Sequence, residues 1–203
     1  MLFVTFTGLD GSGKSTQLKI LEDKLEKEQK PFFSFHIIEF SLANRLVKKV
    51  RKGKTPQAKT KASRLSLFLR KIFLFIDLVR FRFFFQKIKK QKIEFLLADR
   101  YFFDQIVNIL YLDQKAVSAE KPFWQKMAEK MLILPNLGFY LSINPEIIQL
   151  QNRTVEQGSS YLEKKRVILD KLAPDWNLKI ISAQESKQAI ANSIWQKIEK
   201  LTP

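Results

Sequence analysis

The chain has 203 residues, 45% of them hydrophobic, which suffices for one substantial core and predicts a single domain over residues 1–203. With no cysteine, disulfide frameworks and thiolate metal sites are excluded, and a reducing cytoplasm is the expected compartment. Lys and Arg number 36 against 20 Asp and Glu, a formal charge of +16, so the surface attracts polyanions. Nucleic acid or an anionic membrane surface fits that charge, but a lysine-rich solvated surface is the simpler reading.

Short apolar runs alternate with longer amphipathic segments, the pattern of an α/β protein with a mostly parallel sheet. The first run, "LFVTF" at Leu2–Phe6, is broken by Gly8, too early for a secretory signal. It leads into Gly8-Leu9-Asp10-Gly11-Ser12-Gly13-Lys14-Ser15, which matches G-x-x-x-x-G-K-[ST] between a strand and a helix. Such a loop, here residues 8–16 and so including Thr16, wraps its N–H groups and a helix N-terminus around phosphate. Lys14 then reaches the β- and γ-phosphates of a nucleoside triphosphate, and the Ser15 hydroxyl takes one position on Mg²⁺. The helix that follows carries Leu18, Leu21 and Leu25 on one face.

A second strand is predicted near Phe32–Ile38, with His36, the only histidine, packed within it. The basic stretch Leu42–Lys92 has no turn signal after Pro56 and predicts one or two long helices. Within it, Leu67–Phe85 is Phe-rich but interrupted by Arg70, Lys71, Asp77, Arg80 and Arg82. Each such charge at mid-bilayer costs about 2.5 to 3.5 kcal/mol, so no transmembrane span is expected. The segment reads as a core helix whose charges line a cleft, or as a basic amphipathic helix for a surface or a partner.

Strand three, "EFLLA" at Glu94–Ala98, delivers Asp99, in the place where a phosphate-loop protein keeps its metal-side carboxylate; Asp99 can equally cap a helix starting near Phe102. Strands four and five follow at Leu137–Ile143 and Leu178–Ser182, and a last helix from about Ser186 aligns Ala189, Ile190, Ile194 and Ile198. No N-K-x-D base-reading motif is present, which argues against a regulatory GTPase and leaves a small-molecule kinase.

"FTGLDGSGKSTQLKILEDKL" and "LLADRYFFD", joined by "LILPNLGFYLSINPEIIQLQNR" and "YLEKKRVIL", together resemble the thymidylate kinases and thymidylate kinase-like relatives among the nucleoside monophosphate kinases. The resemblance implies a P-loop NTPase fold with a five-stranded sheet flanked by helices, an acceptor-side helical region at about 41–92 and a short lid at about 152–160. It implies transfer of the γ-phosphoryl group of MgATP to a nucleoside monophosphate such as dTMP, and a homodimer. By position, Arg100 would hold the acceptor's phosphate, Tyr101 would line the acceptor site and Asp10 would face the acceptor sugar. Because Gly11 stands where one branch of the family has a loop arginine, the lid must supply the catalytic cation; Arg153 is the first candidate and Arg166 the second.

The acceptor side departs from the family. "IIEFSLANR" keeps Glu39 but lacks the arginine, proline and glycines expected after strand two, the Phe-x-x-x-Arg thymine box is missing, and Asn108 and Ile109 replace a Tyr-Gln pair. Arg45, Arg80 and Arg82 are candidate replacement contacts or simply solvated arginines. A P-loop kinase for a different acceptor such as a sugar or nucleoside, and a catalytically inactive ATP-binding module engaging nucleic acid or membrane through its basic surface, remain as alternatives.

Overall fold

In the computed structural model, residues 1–42, 62–114, 120–150 and 158–201 are described. Strand β1 (Leu2–Gly8) leads to helix α1 (Lys14–Lys27), β2 (Phe32–His36) and the short α2 (Ile37–Phe40). A long α3 (Arg64–Lys89) precedes β3 (Phe95–Asp99), α4 (Phe102–Asp113) and α5 (Phe123–Met131). Then come β4 (Leu137–Ser142), α6 (Pro145–Leu150), α7 (Ser159–Leu172), β5 (Lys179–Ser182) and α8 (Lys187–Glu199). All four strand pairings are parallel, in the order β2-β3-β1-β4-β5. The second strand ends at His36 rather than at the expected Ile38, because Ile37 already begins α2.

β1 is central and covered on both faces, so its side chains divide between two cores. Val4 and Phe6 face α1 and α8, where Leu18, Leu21, Leu25, Ile190 and Ile194 pack. Phe3 faces the other way, into a core built from α3, α4 and α7. The two apolar stripes expected on α1 and α8 thus meet the same side of the sheet.

The Phe-rich stretch is a single helix of 26 residues, started by Ser63, whose hydroxyl accepts from Ser66 N–H at 3.2 Å. Its buried positions Leu74, Asp77, Leu78, Phe81, Phe85 and Ile88 recur at helical spacing and face the sheet. Phe81 is the hub, with its ring 5.4 to 6.0 Å from those of Phe3, Phe35, Phe40, Phe84, Phe85, Tyr101 and Phe102. Tilted and edge-on contacts of this kind add to the burial of aromatic area.

Asp77, fully buried in that apolar face, is compensated by partners from two elements. Its two oxygens accept Leu42 N–H at 3.1 and 3.2 Å, and one receives Arg80 at 2.6 Å. Arg80 also donates to the Phe40 carbonyl at 3.1 Å, so α3 is stitched to the chain leaving β2. No helix among the described residues is long and apolar enough to cross a membrane.

Phe81→Ala should destabilise the fold by about 3 to 5 kcal/mol, because seven rings lose a common neighbour. Urea unfolding followed by circular dichroism checks this; a loss under 1 kcal/mol would mean that the cluster does not organise the core.

Candidate active site

The carboxyl ends of β1 and β3 converge because the two strands pair in register, with Phe6 opposite Asp99. The loop after β1 and the residues after Asp99 therefore share one edge of the sheet, the edge where ligands bind in open parallel sheets. Gly8 is required for that turn: its φ is +152°, and a Cβ there would lie 2.7 Å from the Leu141 carbonyl oxygen and 2.9 Å from Ser12 Oγ. Gly13, at φ +90°, opens α1 from the left-handed region.

Lys14 is buried and folds back over the loop, donating to the carbonyls of Gly8 at 3.0 Å and Leu9 at 2.5 Å. Burial, helped by the positive charge of Arg100, lowers its pKa to about 8, although Asp104, Asp10 and Asp99 pull in the opposite direction. Ser12 is buried beneath the loop, Gly11 and Thr16 lie partly exposed along it, and the Ser15 hydroxyl donates to Asp99 Oδ2 at 2.6 Å. The other oxygen, Asp99 Oδ1, is buried with no hydrogen-bond partner. A hydroxyl beside a carboxylate with an open oxygen suits a hard, oxygen-seeking cation, so Ser15 and Asp99 fit Mg²⁺.

Arg100 follows with φ +65°, a conformation that non-glycine residues rarely adopt. Its backbone N–H donates to the Phe6 carbonyl at 3.0 Å, and its guanidinium pairs with Asp10 on the phosphate loop. Burial would raise the Asp10 pKa, but the charges of Arg100, Lys165 and Lys14 outweigh it and bring the carboxyl down to about 2. Asp10 and Arg100 are thus both ionised across the working range of pH. Lys165, reaching in from α7, donates to the Tyr161 hydroxyl at 2.8 Å.

The structure brings Gly8, Asp10, Ser12, Lys14, Ser15, Asp99 and Arg100 to one edge, while other expected residues lie elsewhere. Tyr101 is fully buried, its ring in the aromatic core and its hydroxyl donating to the Ile133 carbonyl at 2.8 Å. That position is core, not an open wall of an acceptor site. Arg80 is engaged by Asp77 and Phe40. Arg166 pairs with Asp170 at 3.4 Å on α7, and His36 is half-buried beside Asp99 in the sheet, with burial lowering its pKa. Arg45, Arg153 and most of the expected lid lie outside the described residues; Gly158 immediately precedes α7, and Ser159 and Ser160 begin it.

Sequence reasoning missed two carboxylates. Asp104 accepts Thr7 Oγ1 at 3.0 Å and Tyr101 N–H at 3.2 Å, and it lies 3.8 Å from Arg100. The spacing from Tyr101, the N-cap of α4, to an acid at the third helical position was the available signal. Asp77 offered none beyond its place on the apolar face of α3.

A glycine-rich loop wrapping a buried lysine, with a serine hydroxyl on a strand-end carboxylate, defines a P-loop phosphoryl-transfer protein. The Thymidylate kinase family profile matches residues 6–194, and the chain belongs to that family. It is therefore a nucleotide kinase of the nucleoside monophosphate class, with the P-loop α/β fold and the general use of ATP and Mg²⁺ that the family implies. Over 196 residues it is 24% identical to a protein named "Probable thymidylate kinase" from Methanocaldococcus jannaschii, covering 95% of this chain and 93% of that one.

Because Lys14 must be protonated to meet phosphate, and its pKa is about 8, its charge is present below that value and lost above it. A profile of kcat/KM for ATP should therefore fall as pH rises through about 8 in the free enzyme. A plateau extending to pH 10 would show that Lys14 keeps its ordinary basicity.

Proposed function

We propose that the protein is a single-domain kinase transferring the γ-phosphoryl group of ATP to a nucleoside monophosphate, with dTMP as the first acceptor. The observation that carries this reading is the meeting of Lys14, the Ser15–Asp99 pair and the Arg100–Asp10 pair at one sheet edge. Residues 8–16 hold the triphosphate through backbone N–H groups, with Lys14 leaving its two loop carbonyls for phosphate oxygens. Mg²⁺, held by Ser15 and Asp99, would neutralise phosphate charge.

Arg100 receives the acceptor's phosphate, and Asp10, on the same guanidinium, faces the acceptor's sugar. Arg153 is assigned as the lid cation. Phosphoryl transfer leaves little covalent work to the protein, so orientation and charge neutralisation are the contributions of these groups.

A different phosphorylated acceptor is the second reading, favoured by one observation. Arg80, the arginine nearest to the missing thymine box, already has two partners in Asp77 and the Phe40 carbonyl. A base would have to be read by other groups.

The test is MgATP turnover against all common nucleoside and deoxynucleoside monophosphates and a set of sugars. Turnover with dTMP supports the first reading, and turnover only with another phosphorylated acceptor supports the second. Lys14→Ala should lower kcat/KM by roughly 10²-fold or more with an unchanged far-ultraviolet spectrum. Unaltered turnover would remove Lys14 from the site.

The same reading includes a homodimer through α3. Leu65, Leu69, Ile72, Ile76, Val79 and Phe83 lie along the face opposite the core, each 38 to 73% exposed. Their 4-3-4-3-4 spacing is that of a seam between two helices, and α3 of a second copy has the matching period. In sedimentation velocity the wild type should run as a dimer and Ile72→Glu/Ile76→Glu as a monomer; a monomeric wild type would dismiss the seam.

A further inference from the structure

We propose that Asp104 is a positioning residue for the phosphoryl acceptor: it holds the guanidinium of Arg100 through one carboxylate oxygen and anchors the start of α4 through the other. The proposal rests on the reading of Arg100 as the arginine that receives the acceptor's phosphate.

The two oxygens have different surroundings. Oδ2 accepts both the Thr7 hydroxyl, at 3.0 Å from β1, and the Tyr101 N–H, at 3.2 Å. Oδ1 is not needed for that cap and lies 3.8 Å from Arg100 Nη1, while Nη2 of the same guanidinium binds Asp10. The Asp104 side chain is only 10% exposed, so water screens the pair weakly.

Arg100 needs such support for two reasons. Its φ of +65° is a conformation that L side chains disfavour, so neighbouring contacts must hold it. Its long side chain would also lose rotamer freedom each time it met a phosphate. Two carboxylates, one on the phosphate loop and one on α4, remove that freedom in advance and tie the guanidinium to both elements that frame the site. An acid in the first turn of α4 is also favoured by the helix dipole, which offsets part of the cost of burying its charge.

A helix cap alone would predict the same Oδ2 contacts, and substitutions separate the two roles. Asp104→Asn keeps an oxygen for Tyr101 and Thr7 but removes the charge; Asp104→Glu keeps the charge. With the monophosphate that turns over in the panel, Asp104→Asn should raise the acceptor KM about tenfold, with KM for ATP within about twofold and the far-ultraviolet spectrum unchanged. Asp104→Glu should recover part of the loss. A wild-type acceptor KM in Asp104→Asn would overturn the proposal, as would both KM values rising together.

A double-mutant cycle of Asp104→Asn with Arg100→Gln, read as unfolding midpoint, needs no acceptor. It therefore separates failure of this pairing from failure of the kinase reading. A combined shift smaller than the sum of the single shifts supports the pairing, and strict additivity overturns it.

Discussion

Burial of the Lys14 ammonium is the constraint on which the site depends. A charge removed from water costs far more than a typical core contact contributes unless it is paired and hydrogen-bonded. Here two loop carbonyls accept its hydrogen bonds, and Asp99, Asp104 and Asp10 supply opposing charge. Each of those carboxylates comes from a different segment: the end of β3, the start of α4 and the loop itself. The register that sets Phe6 opposite Asp99 is what lets them converge. Compensation is partial, since burial still leaves the lysine a weaker base than in water.

The same edge alternates charge at close range. Lys14, Arg100 and Lys165 are interleaved with Asp10, Asp99 and Asp104, so no group faces only like charge. Such a lattice is held in place before any phosphate arrives. In the function proposed above, phosphate oxygens meet an Arg100 guanidinium already placed between two carboxylates, and preorganised charge is what phosphoryl transfer asks of a protein. The strained backbone of Arg100 fits this account, because the Phe6 carbonyl and two carboxylates hold the residue from both ends.

Helix α3 faces the core on one side and solvent on the other. Its inner face packs Phe81 among seven rings and carries Asp77, which secures the chain leaving β2 through Leu42. Its outer face keeps an apolar stripe exposed. The Phe content that first suggests a membrane or a cleft is thus divided between these faces. Of its charges, Asp77 and Arg80 pair with each other, Lys71 pairs with Asp113 at 2.8 Å, and Arg82 points to solvent.

Much of the frame is legible in the chain itself. The five strands are apolar runs separated by amphipathic helices, and the phosphate loop is a local motif whose glycines, lysine and serine act within nine residues. Asp99 is equally legible, because a strand-end acid follows from the apolar run before it. What stayed hidden depends on distance: Asp104 meets Thr7 across 97 positions, and Asp77 meets Leu42 across 35. Tyr101 stayed hidden for the same reason, since the residues beside it in the sequence do not reveal that its ring turns into the core. Local period and motif chemistry determined the P-loop frame and its nucleotide-binding loop, because both are short-range properties. Which carboxylates surround Lys14 and Arg100, and which face of α3 is buried, only the packing of the sheet and its helices could decide, because those contacts join segments that no local pattern relates.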